Sequence, residues 1–547
     1  MNVQTMAPAM ANDDLAQAID TLLEQTYATT EPGVAALVAR EGRVLYRKGI
    51  GMANLELGVS IEPHMVFRLG SITKQFTAVA LLMLMEDGKL SLDDDITAFL
   101  PDYPTHGHRI TVEHLLTHTS GIKSYTSMPT WPPLWRTDMT LGELIDFFKD
   151  QPMDFAPGER WLYNNSAYVL LGAIIEKASG LPYEKFLDRR IFEPLGMAHS
   201  SYDHTARIVP GRVAGYQKGA DGIENAPYLS MTQPHAAGAL LSTVDDLLTW
   251  DEALYTERLV TQETLRRAFT PATLNDGTST GYGYGWAIAS YEGHRLIEHG
   301  GGINGFLTDA IRLPDDHVYV AVLTNRMIAE PIPDQIAFKI AALTIGKPYR
   351  DRVAVTLVPS RLDAYVGVYR VHGDEAVEHV VTREGDLLFA QRTGGAREEI
   401  LPLSSTEFFY KNEAVYFDTC LYVKMDGDTV TGLEVRGRYG PGELAVKTNK
   451  PIPRARQAIA LDPTLYDRYV GVYEAGPGFT IVVSREGGRL MAQPPGQAKT
   501  EILPESETLF FLSVVDAQVE FVQDDAGETT GLILHQGGQD LPARKVA

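Results

Sequence analysis

The second half of the chain contains an internal repeat with a period of about 100 residues. Four segments recur in the same order: 363–369 as 467–473, 383–385 as 485–487, 399–402 as 501–504, and 431–433 as 530–532. The longest pair reads D-A-Y-V-G-V-Y in the first copy and D-R-Y-V-G-V-Y in the second. Solenoid repeats are about 20–45 residues long, so a period of this length predicts two copies of one whole domain.

Each copy consists of short alternating strands separated by turns rich in Gly and Asp, as around residues 415–418 and 518–521. Many short and evenly spaced strands favour an antiparallel barrel, because a closed barrel leaves no unpaired edge. Pro and Arg are concentrated in residues 450–456, which predicts a linker between the copies. We place the three domains at residues 1–350, 351–457 and 458–547.

The residues before 350 follow a different pattern. Strand-like runs lie at 33–40, 43–48, 284–291, 294–299 and 317–324, and helical patterns lie at 72–88, 141–149 and 166–179. Strands at both ends of a domain, with helices between them, indicate one sheet with a helical insertion. The predicted fold class is therefore α+β, an antiparallel sheet flanked by helices with a helical domain, followed by two antiparallel β-barrels.

Charge and composition exclude several classes of partner. The 547 residues carry a net charge of −23, which disfavours binding to nucleic acid or to an anionic membrane surface. No apolar run reaches the roughly 18 residues of a membrane span. Cys420 is the one cysteine, so neither an intrachain disulfide nor a cysteine zinc site is expected. A homo-oligomer is compatible with the sequence.

The N-terminus leaves the compartment open. The first basic residue is Arg40, so the positively charged start of an export signal is missing. Residues 7–11, A-P-A-M-A, nevertheless resemble the small-residue end of such a signal. The chain as given is expected to be cytoplasmic, or periplasmic if a signal has been trimmed.

Ser71 and Lys74 form the first candidate site. They are spaced i,i+3 at the start of an apolar helical pattern, so both side chains lie on one helix face. The helix N-terminus favours negative charge developing on Ser71, and a neutral lysine accepts the serine proton. A second Ser-x-x-Lys, Ser120 with Lys123, lies in a predicted loop, so we prefer Ser71 as the nucleophile. The alternative for Ser71 is a helix-capping serine beside a solvated lysine.

Tyr163 and Asn165 form the second candidate site. A tyrosine acts as general base or acid when a neighbouring cation lowers its pKa from about 10. The Asn165 amide is suited to hydrogen bonds with Lys74 and with a substrate amide. The same spacing occurs at Tyr410 and Asn412 in the repeat region, where it is a chance match. The alternative for Tyr163 is a buried tyrosine at a helix start.

The third candidate site is the segment His299-Gly300-Gly301-Gly302, which follows a strand-like run. Small residues let a substrate backbone pair with the edge of this strand. The N–H groups of Gly302 and Ser71 are expected to form an oxyanion hole. His299 is expected to present a donor or a partial positive charge to the substrate. The alternative is an ordinary glycine-rich turn.

In order and context, these three motifs resemble the signature of the penicillin-recognising serine enzymes, closest to peptidase family S12 and the class C β-lactamases. Flanking segments also agree, at residues 115–121, 157–159, 170–172, 194–197 and 323–325. The resemblance covers residues 15–345. It implies an acyl-enzyme on Ser71, proton transfer through Lys74 and Tyr163, and orientation by Asn165, with no metal or organic cofactor.

The tail adds a resemblance to the three-domain D-aminopeptidases, which carry two lipocalin-like barrels after such a catalytic domain. In those enzymes a barrel loop helps to shape the catalytic pocket. Residues 474–479 and 493–499 are candidates for that loop here, or they are ordinary hairpin turns. His299 stands where β-lactamases of this group have a lysine that meets a drug carboxylate, so strong β-lactamase activity is disfavoured.

The favoured function is a serine peptidase or amidase acting on short or D-residue-containing peptides. An esterase, a weak β-lactamase or a DD-carboxypeptidase is the alternative, because all of these reactions pass through the same acyl-serine. A metal site among four closely spaced histidines is a rival reading, with His114 and His118 spaced i,i+4: His106, His108, His114 and His118. A binding protein built on an inactivated hydrolase is another, although all three motifs are intact.

Overall fold

The computed structural model describes residues 12–546 apart from 220–221, 328–331, 374–375, 414–415, 454–455, 477–478, 495–498, 525 and 537–538. Residues 7–11, on which the export prediction depends, therefore lie outside the described residues. The chain divides into two compact units. The first runs to Met128, resumes for Trp135–Arg350 and includes Arg438–Pro441. The second consists of Pro129–Leu134, Asp351–Gly437 and the residues from Gly442 onward.

The first unit contains both helices and strands. Its helices are α1 (Asn12–Thr26), α2 (Thr73–Glu86), α3 (Val112–Leu116), α4 (Leu141–Phe148), α5 (Asn165–Ser179), α6 (Tyr183–Leu187), α7 (Glu193–Leu195), α8 (His235–Gly238), α9 (Val244–Ala253), α10 (Gln262–Ala268) and α11 (Pro333–Thr344). Its strands are β1 (Val34–Arg40), β2 (Arg43–Ile50), β3 (Met52–Asn54), β4 (Val59–Ser60), β5 (Phe67–Arg68), β6 (Ser201–Tyr202), β7 (Tyr216–Gly219), β8 (Gly222–Asn225), β9 (Leu240–Ser242), β10 (Ala287–Tyr291), β11 (His294–Ile303), β12 (Phe306–Leu313), β13 (Val318–Thr324) and β14 (Arg326–Met327). In the part of the chain that the structure describes, no helix is both long and apolar enough to cross a membrane.

A six-stranded antiparallel sheet, in the order β10-β11-β12-β13-β1-β2, forms the framework of the first unit. β1 pairs with β13 along its whole length, so the two ends of this unit meet inside one sheet. Residues on both faces of these two strands are buried, and α9 and α11 pack against β13. This arrangement confirms the predicted α+β class, in which helices lie between the first and the last strands.

Strand β11 continues beyond its predicted end at residue 299. Its pairing with β12 runs through the glycines, from His299 opposite Ala310 to Ile303 opposite Phe306. On the other side, β10 pairs with β11 only as far as Glu298. The glycine run is therefore a strand and not a turn. From residue 299 onward no described strand pairs with the side of β11 that β10 leaves, which we call the open edge of β11.

The second unit contains two closed eight-stranded barrels, which confirms the predicted barrels. A short helix, α12 (Pro359–Leu362), precedes the first barrel, whose strands are β15 (Gly367–Val371), β16 (Glu378–Glu384), β17 (Leu387–Arg392), β18 (Arg397–Pro402), β19 (Glu407–Tyr410), β20 (Cys420–Asp426), β21 (Thr429–Arg436) and β22 (Glu443–Lys447). The second barrel consists of β23 (Gly471–Gly476), β24 (Phe479–Glu486), β25 (Arg489–Gln493), β26 (Thr500–Pro504), β27 (Leu509–Leu512), β28 (Ala517–Gln523), β29 (Thr529–Gln536) and β30 (Gln539–Lys545). All neighbouring strands in both barrels are antiparallel, and the domain boundaries stay a prediction.

The residues that recur in the repeat make the same contacts in both barrels. In the first barrel the Tyr369 hydroxyl donates to the Tyr365 carbonyl, and Arg383 pairs with Asp363. The second barrel repeats both contacts, with Tyr473 donating to Tyr469 and Arg485 pairing with Asp467. The repeat was visible in the sequence because a buried tyrosine and an ion pair hold the first strand of each barrel in place.

Candidate active site

Ser71 lies in a 3-10 turn, Gly70–Ile72, that leads directly into α2. Gly70 has φ +54°, and a Cβ at this position would lie 2.9 Å from the Gly302 nitrogen. Both facts require glycine, because other residues rarely adopt this conformation and would collide with β11. Gly70 thereby lets the backbone of β11 approach the nucleophile at Gly302.

The Lys74 side chain is completely buried, and its Nζ has three oxygen neighbours. Nζ lies 3.1 Å from Ser71 Oγ, 2.8 Å from Asn165 Oδ1 and 2.8 Å from the Ala237 carbonyl oxygen. Burial lowers the pKa of Lys74 well below its ordinary value of 10.5. The two carbonyl oxygens only accept hydrogen bonds, so they take both hydrogens of a neutral amine and leave its lone pair facing Ser71.

Tyr163 lies on the other side of this lysine. Lys74 Nζ is 4.7 Å from the centre of the Tyr163 ring. Burial raises the pKa of the Tyr163 phenol above 10, while the Ser71 hydroxyl acts in the opposite direction. The expectation that a neighbouring cation lowers this pKa is therefore wrong, because desolvation outweighs the other influences. At neutral pH the phenol keeps its proton and is a hydrogen-bond donor.

Asn165 begins α5 and is held at both ends of its amide. Its Oδ1 accepts from Lys74, and its Nδ2 donates to Thr126 Oγ1 at 3.0 Å. The preceding residue, Asn164, caps the helix by accepting from the Ala167 N–H. The Asn165 amide thus contacts Lys74 through Oδ1 and uses one of the two hydrogens on Nδ2 for Thr126. The role of Asn165 in positioning Lys74 stays a prediction.

His299 is 7% exposed and forms hydrogen bonds through both ring nitrogens. Nδ1 lies 2.6 Å from the Gly300 carbonyl oxygen, and Nε2 lies 2.9 Å from the Tyr282 hydroxyl. Burial and the neighbouring Lys74 lower the pKa of His299 to about 3. Because a carbonyl only accepts, Nδ1 carries the proton and Nε2 accepts from Tyr282. The expectation of a partial positive charge on His299 is therefore wrong, since the ring is neutral.

Tyr282 is a site residue that the motif search missed. Its ring packs against His118 and Trp161, with centroids 4.8 Å and 6.0 Å apart. The available signal was the run Y-G-Y-G-W at residues 282–286, where aromatic residues alternate with glycines just before β10. We infer that Tyr282 holds the neutral His299 ring in place by donating a hydrogen bond to Nε2.

Replacing Tyr282 with phenylalanine should reduce kcat/KM about fivefold to tenfold, the cost of about one lost hydrogen bond at a buried acceptor. The free Nε2 of His299 should then titrate at higher pH, which the pH profile of kcat/KM would reveal. Tyr284→Phe is the matched control, because Tyr284 lies two residues after Tyr282 and its hydroxyl donates to Glu113 instead of His299. Equal losses in the two variants would contradict the assignment to Tyr282.

The glycines of β11 allow it to lie against the segment before Ser71. A Cβ on Gly301 would lie 2.0 Å from the Leu69 carbonyl oxygen, which already accepts a hydrogen bond from Thr308 Oγ1 at 2.8 Å. Only a glycine fits this contact. The Gly302 nitrogen therefore lies close to Gly70, the residue before Ser71. That the N–H groups of Ser71 and Gly302 form an oxyanion hole stays a prediction.

Two of the closely spaced histidines, His118 and His114, accept hydrogen bonds from backbone N–H groups. His118 Nδ1 accepts from the Asn164 N–H at 3.1 Å, and its ring packs 4.4 Å from that of Tyr163. His114 Nδ1 accepts from the Thr111 N–H, as part of the cap of α3. Among the described residues, no group of three or more metal-ligating side chains is assembled. In the other Ser-x-x-Lys, Lys123 forms an ion pair with Asp154.

Four residues from a later part of the sequence, Arg438–Pro441, belong to the first unit. Arg438 Nη2 lies 3.1 Å from Glu298 Oε1, and both side chains are less than a tenth exposed. Because side chains alternate along a strand, Glu298 and His299 point to opposite faces of the sheet. The Arg438–Glu298 ion pair therefore contacts β11 on the face opposite to His299. The loops predicted to reach the pocket, 474–479 and 493–499, lie partly outside the described residues.

Comparisons with known proteins identify the family of the chain. The Beta-lactamase family profile matches residues 15–343, and a profile described as a domain of unknown function, DUF3471, matches residues 455–545. Penicillin-binding protein 4* of Bacillus subtilis is 30% identical over 454 residues, covering 79% of this chain and 98% of that protein. A D-aminopeptidase of Gluconobacter oxydans is 29% identical, over 58% of this chain and 60% of its own length.

A solved structure of similar fold is that of D-amino acid amidase from Ochrobactrum anthropi SV3 in complex with L-phenylalanine amide. It is 27% identical, with a TM-score of 0.54, and the match covers 61% of this chain and 98% of the amidase. The Beta-lactamase profile spans more than half of the chain, and the matched region contains the whole Ser71 site. The chain therefore belongs to the beta-lactamase family of serine hydrolases.

Proposed function

We propose that the protein hydrolyses amide bonds in short or D-residue-containing peptides through an acyl-enzyme on Ser71. The observation that carries this proposal is the environment of Lys74. Its buried amine has two carbonyl acceptors and one serine hydroxyl around it. A lysine held in this way is a general base already aligned with its nucleophile.

The first half of the reaction forms the acyl-enzyme. Ser71 Oγ attacks the substrate carbonyl carbon, and its proton passes to Lys74 Nζ. The carbonyl oxygen becomes an oxyanion between the N–H groups of Ser71 and Gly302. As the C–N bond breaks, the leaving amine accepts a proton from the Tyr163 hydroxyl. Tyr163 is reprotonated by Lys74, which thereby releases the proton it took from Ser71. Water then attacks the carbonyl carbon of the ester and transfers a proton to Lys74 Nζ. As the bond between the acyl group and Ser71 Oγ breaks, Lys74 returns a proton to Ser71.

The open edge of β11 supports binding of a peptide-like substrate. Beyond Glu298, β10 no longer pairs with this strand, while β12 still holds it as far as Ile303. An extended substrate pairs with such an edge through backbone hydrogen bonds, and the glycines leave room for its chain. The carbonyl to be attacked would then lie between Gly302 and Ser71.

The choice of substrate rests on His299 and on the relatives. A neutral imidazole with both nitrogens occupied supplies no cation for a substrate carboxylate at this position. That disfavours β-lactams and carboxypeptidase substrates, whose carboxylate needs a positive partner. Two relatives named for D-amino acid chemistry, the D-aminopeptidase and the D-amino acid amidase, favour D-residue amides.

A substrate panel tests this proposal. It contains D- and L-alanine p-nitroanilides, a short peptide amide, a p-nitrophenyl ester and a chromogenic cephalosporin, with Ser71→Ala as the blank. We expect Ser71-dependent turnover of the amides, with kcat/KM for the D-anilide at least about tenfold above the L-form, since a pocket built for one isomer leaves groups unpaired with the other. Turnover of the ester alone would identify an esterase. Turnover of the cephalosporin alone would identify a β-lactamase.

A further inference from the structure

A cavity of about 260 Å³ lies in the first unit, next to the substrate strand. One wall is formed by Asn304 and Phe306, at the turn that follows β11, and another by Arg68, three residues before the nucleophile. Arg212 and Tyr228 line the remainder together with small residues. The catalytic residues described above do not line this cavity, and nothing in the proposed reaction uses it.

The cavity carries an excess of positive charge. The fully buried carboxylate of Asp203 accepts from Arg68 Nε at 2.8 Å and from Arg212 Nη2 at 2.6 Å. Two guanidinium groups and one carboxylate leave one formal positive charge, and no acidic residue is among those that line the cavity. The Arg212 Nε is buried and has no hydrogen-bond partner among the described residues.

Uncompensated positive charge in a cavity is unusual for a chain with a net charge of −23. One arginine would be enough for an ion pair that joins Asp203 to another segment. In the structure, two arginines contact this carboxylate. Arg68 is also held over the Phe306 ring, with its guanidinium carbon 5.8 Å from the ring centre. This contact fixes the planar fork of donors at the cavity wall, which is the geometry that binds a carboxylate.

We propose that this cavity is a subsite for a carboxylate of the substrate that lies away from the scissile bond. The proposal rests on the proposed function, because it assigns a substrate class to the same site. An extended substrate on the open edge of β11 passes the turn at Asn304 as it leaves Gly302, which brings it to the two arginines. The preferred substrates would then be acidic amides or peptides.

The test uses two matched pairs of substrates at low salt. The first pair is N-succinyl-D-alanine p-nitroanilide and its N-succinamoyl analogue, and the second is N-glutaryl-D-alanine p-nitroanilide and its N-glutaramoyl analogue. We expect the carboxylate member of at least one pair to be preferred about tenfold in kcat/KM, and 0.5 M salt to weaken this preference. Arg212→Met should bring the ratio close to one. Arg47→Met, which removes a surface arginine on β2, should leave it unchanged.

Ratios near one for both pairs would overturn the subsite, as would a preference that survives in Arg212→Met. Arg212→Lys serves as the second variant if Arg212→Met does not fold, and it should lower the ratio because a lysine cannot present a planar fork. Ser71-dependent turnover of the neutral members would keep the proposed function while the subsite fails. Absence of Ser71-dependent turnover with every substrate would remove the proposed function itself.

Discussion

Replacing Ser71 with alanine is expected to reduce kcat/KM for the best amide substrate by about 10⁴-fold or more. The variant keeps the oxyanion hole and the substrate strand but has no oxygen to form the acyl-enzyme. Ser71 is only partly buried, within a 3-10 turn, and its Oγ lies 3.1 Å from Lys74 Nζ. The melting temperature should therefore change little. Single-turnover kinetics and mass spectrometry would show loss of the covalent intermediate.

The chain supplies its own control for this experiment. Ser120 belongs to the second Ser-x-x-Lys and is buried, with its Oγ accepting from the Ile122 N–H at 3.4 Å. Ser120→Ala removes the same atom from the same sequence pattern, and it should keep kcat/KM within about threefold of the starting protein. Near-normal turnover in Ser71→Ala, or a large loss confined to Ser120→Ala, would contradict the assignment of the nucleophile.

Replacing Lys74 with methionine should lower kcat/KM by about 10³-fold, within the usual range for loss of a general base. Methionine fills a similar volume but cannot accept the Ser71 proton. It also leaves the Asn165 and Ala237 oxygens without their donor, at a cost of about 1–3 kcal/mol in stability for each. Thermal unfolding measured beside the kinetics separates this effect from the loss of the base.

The pH profile gives Lys74 a distinct signature. Only the neutral amine accepts a proton, so kcat/KM should fall as pH decreases through the pKa of Lys74 in the folded protein. Burial lowers that pKa well below 10.5, so activity should persist well below the pH at which an exposed lysine would be protonated. The acidic limb should disappear in Lys74→Met. Lys123 forms an ion pair with Asp154, so the Lys123→Met variant should retain the acidic limb.

The local pattern of the sequence was sufficient to predict most of the fold. The D-x-Y-V-G-V-Y and R-E-G segments predicted two equivalent domains, and their hydrogen bonds are now seen to be the same in each barrel. Helix α5 begins one residue before its predicted start, since Asn164 caps it. The end of β11 was predicted too early, because glycines usually interrupt strands and only the partner strand β12 keeps this one extended.

The candidate site was likewise predicted in part from the sequence and in part only from the structure. Spacing alone brought Ser71 and Lys74 to one helix face, because i,i+3 is a property of the helix itself. No pattern predicted that the Ala237 carbonyl would accept from Lys74, since 163 residues separate them. Likewise, the His299 ring is neutral because of burial and the neighbouring Lys74, which depend on how separate segments pack.

The sequence by itself therefore determined the class of the fold and the duplication of the barrel, and it predicted the residues of the candidate site. These features depend on periodicity and on spacing within one element. The protonation of Lys74, Tyr163 and His299 was decided only by the tertiary structure. Desolvation and the final hydrogen-bond partner set a pKa, and both come from residues distant in the chain that folding brings into contact.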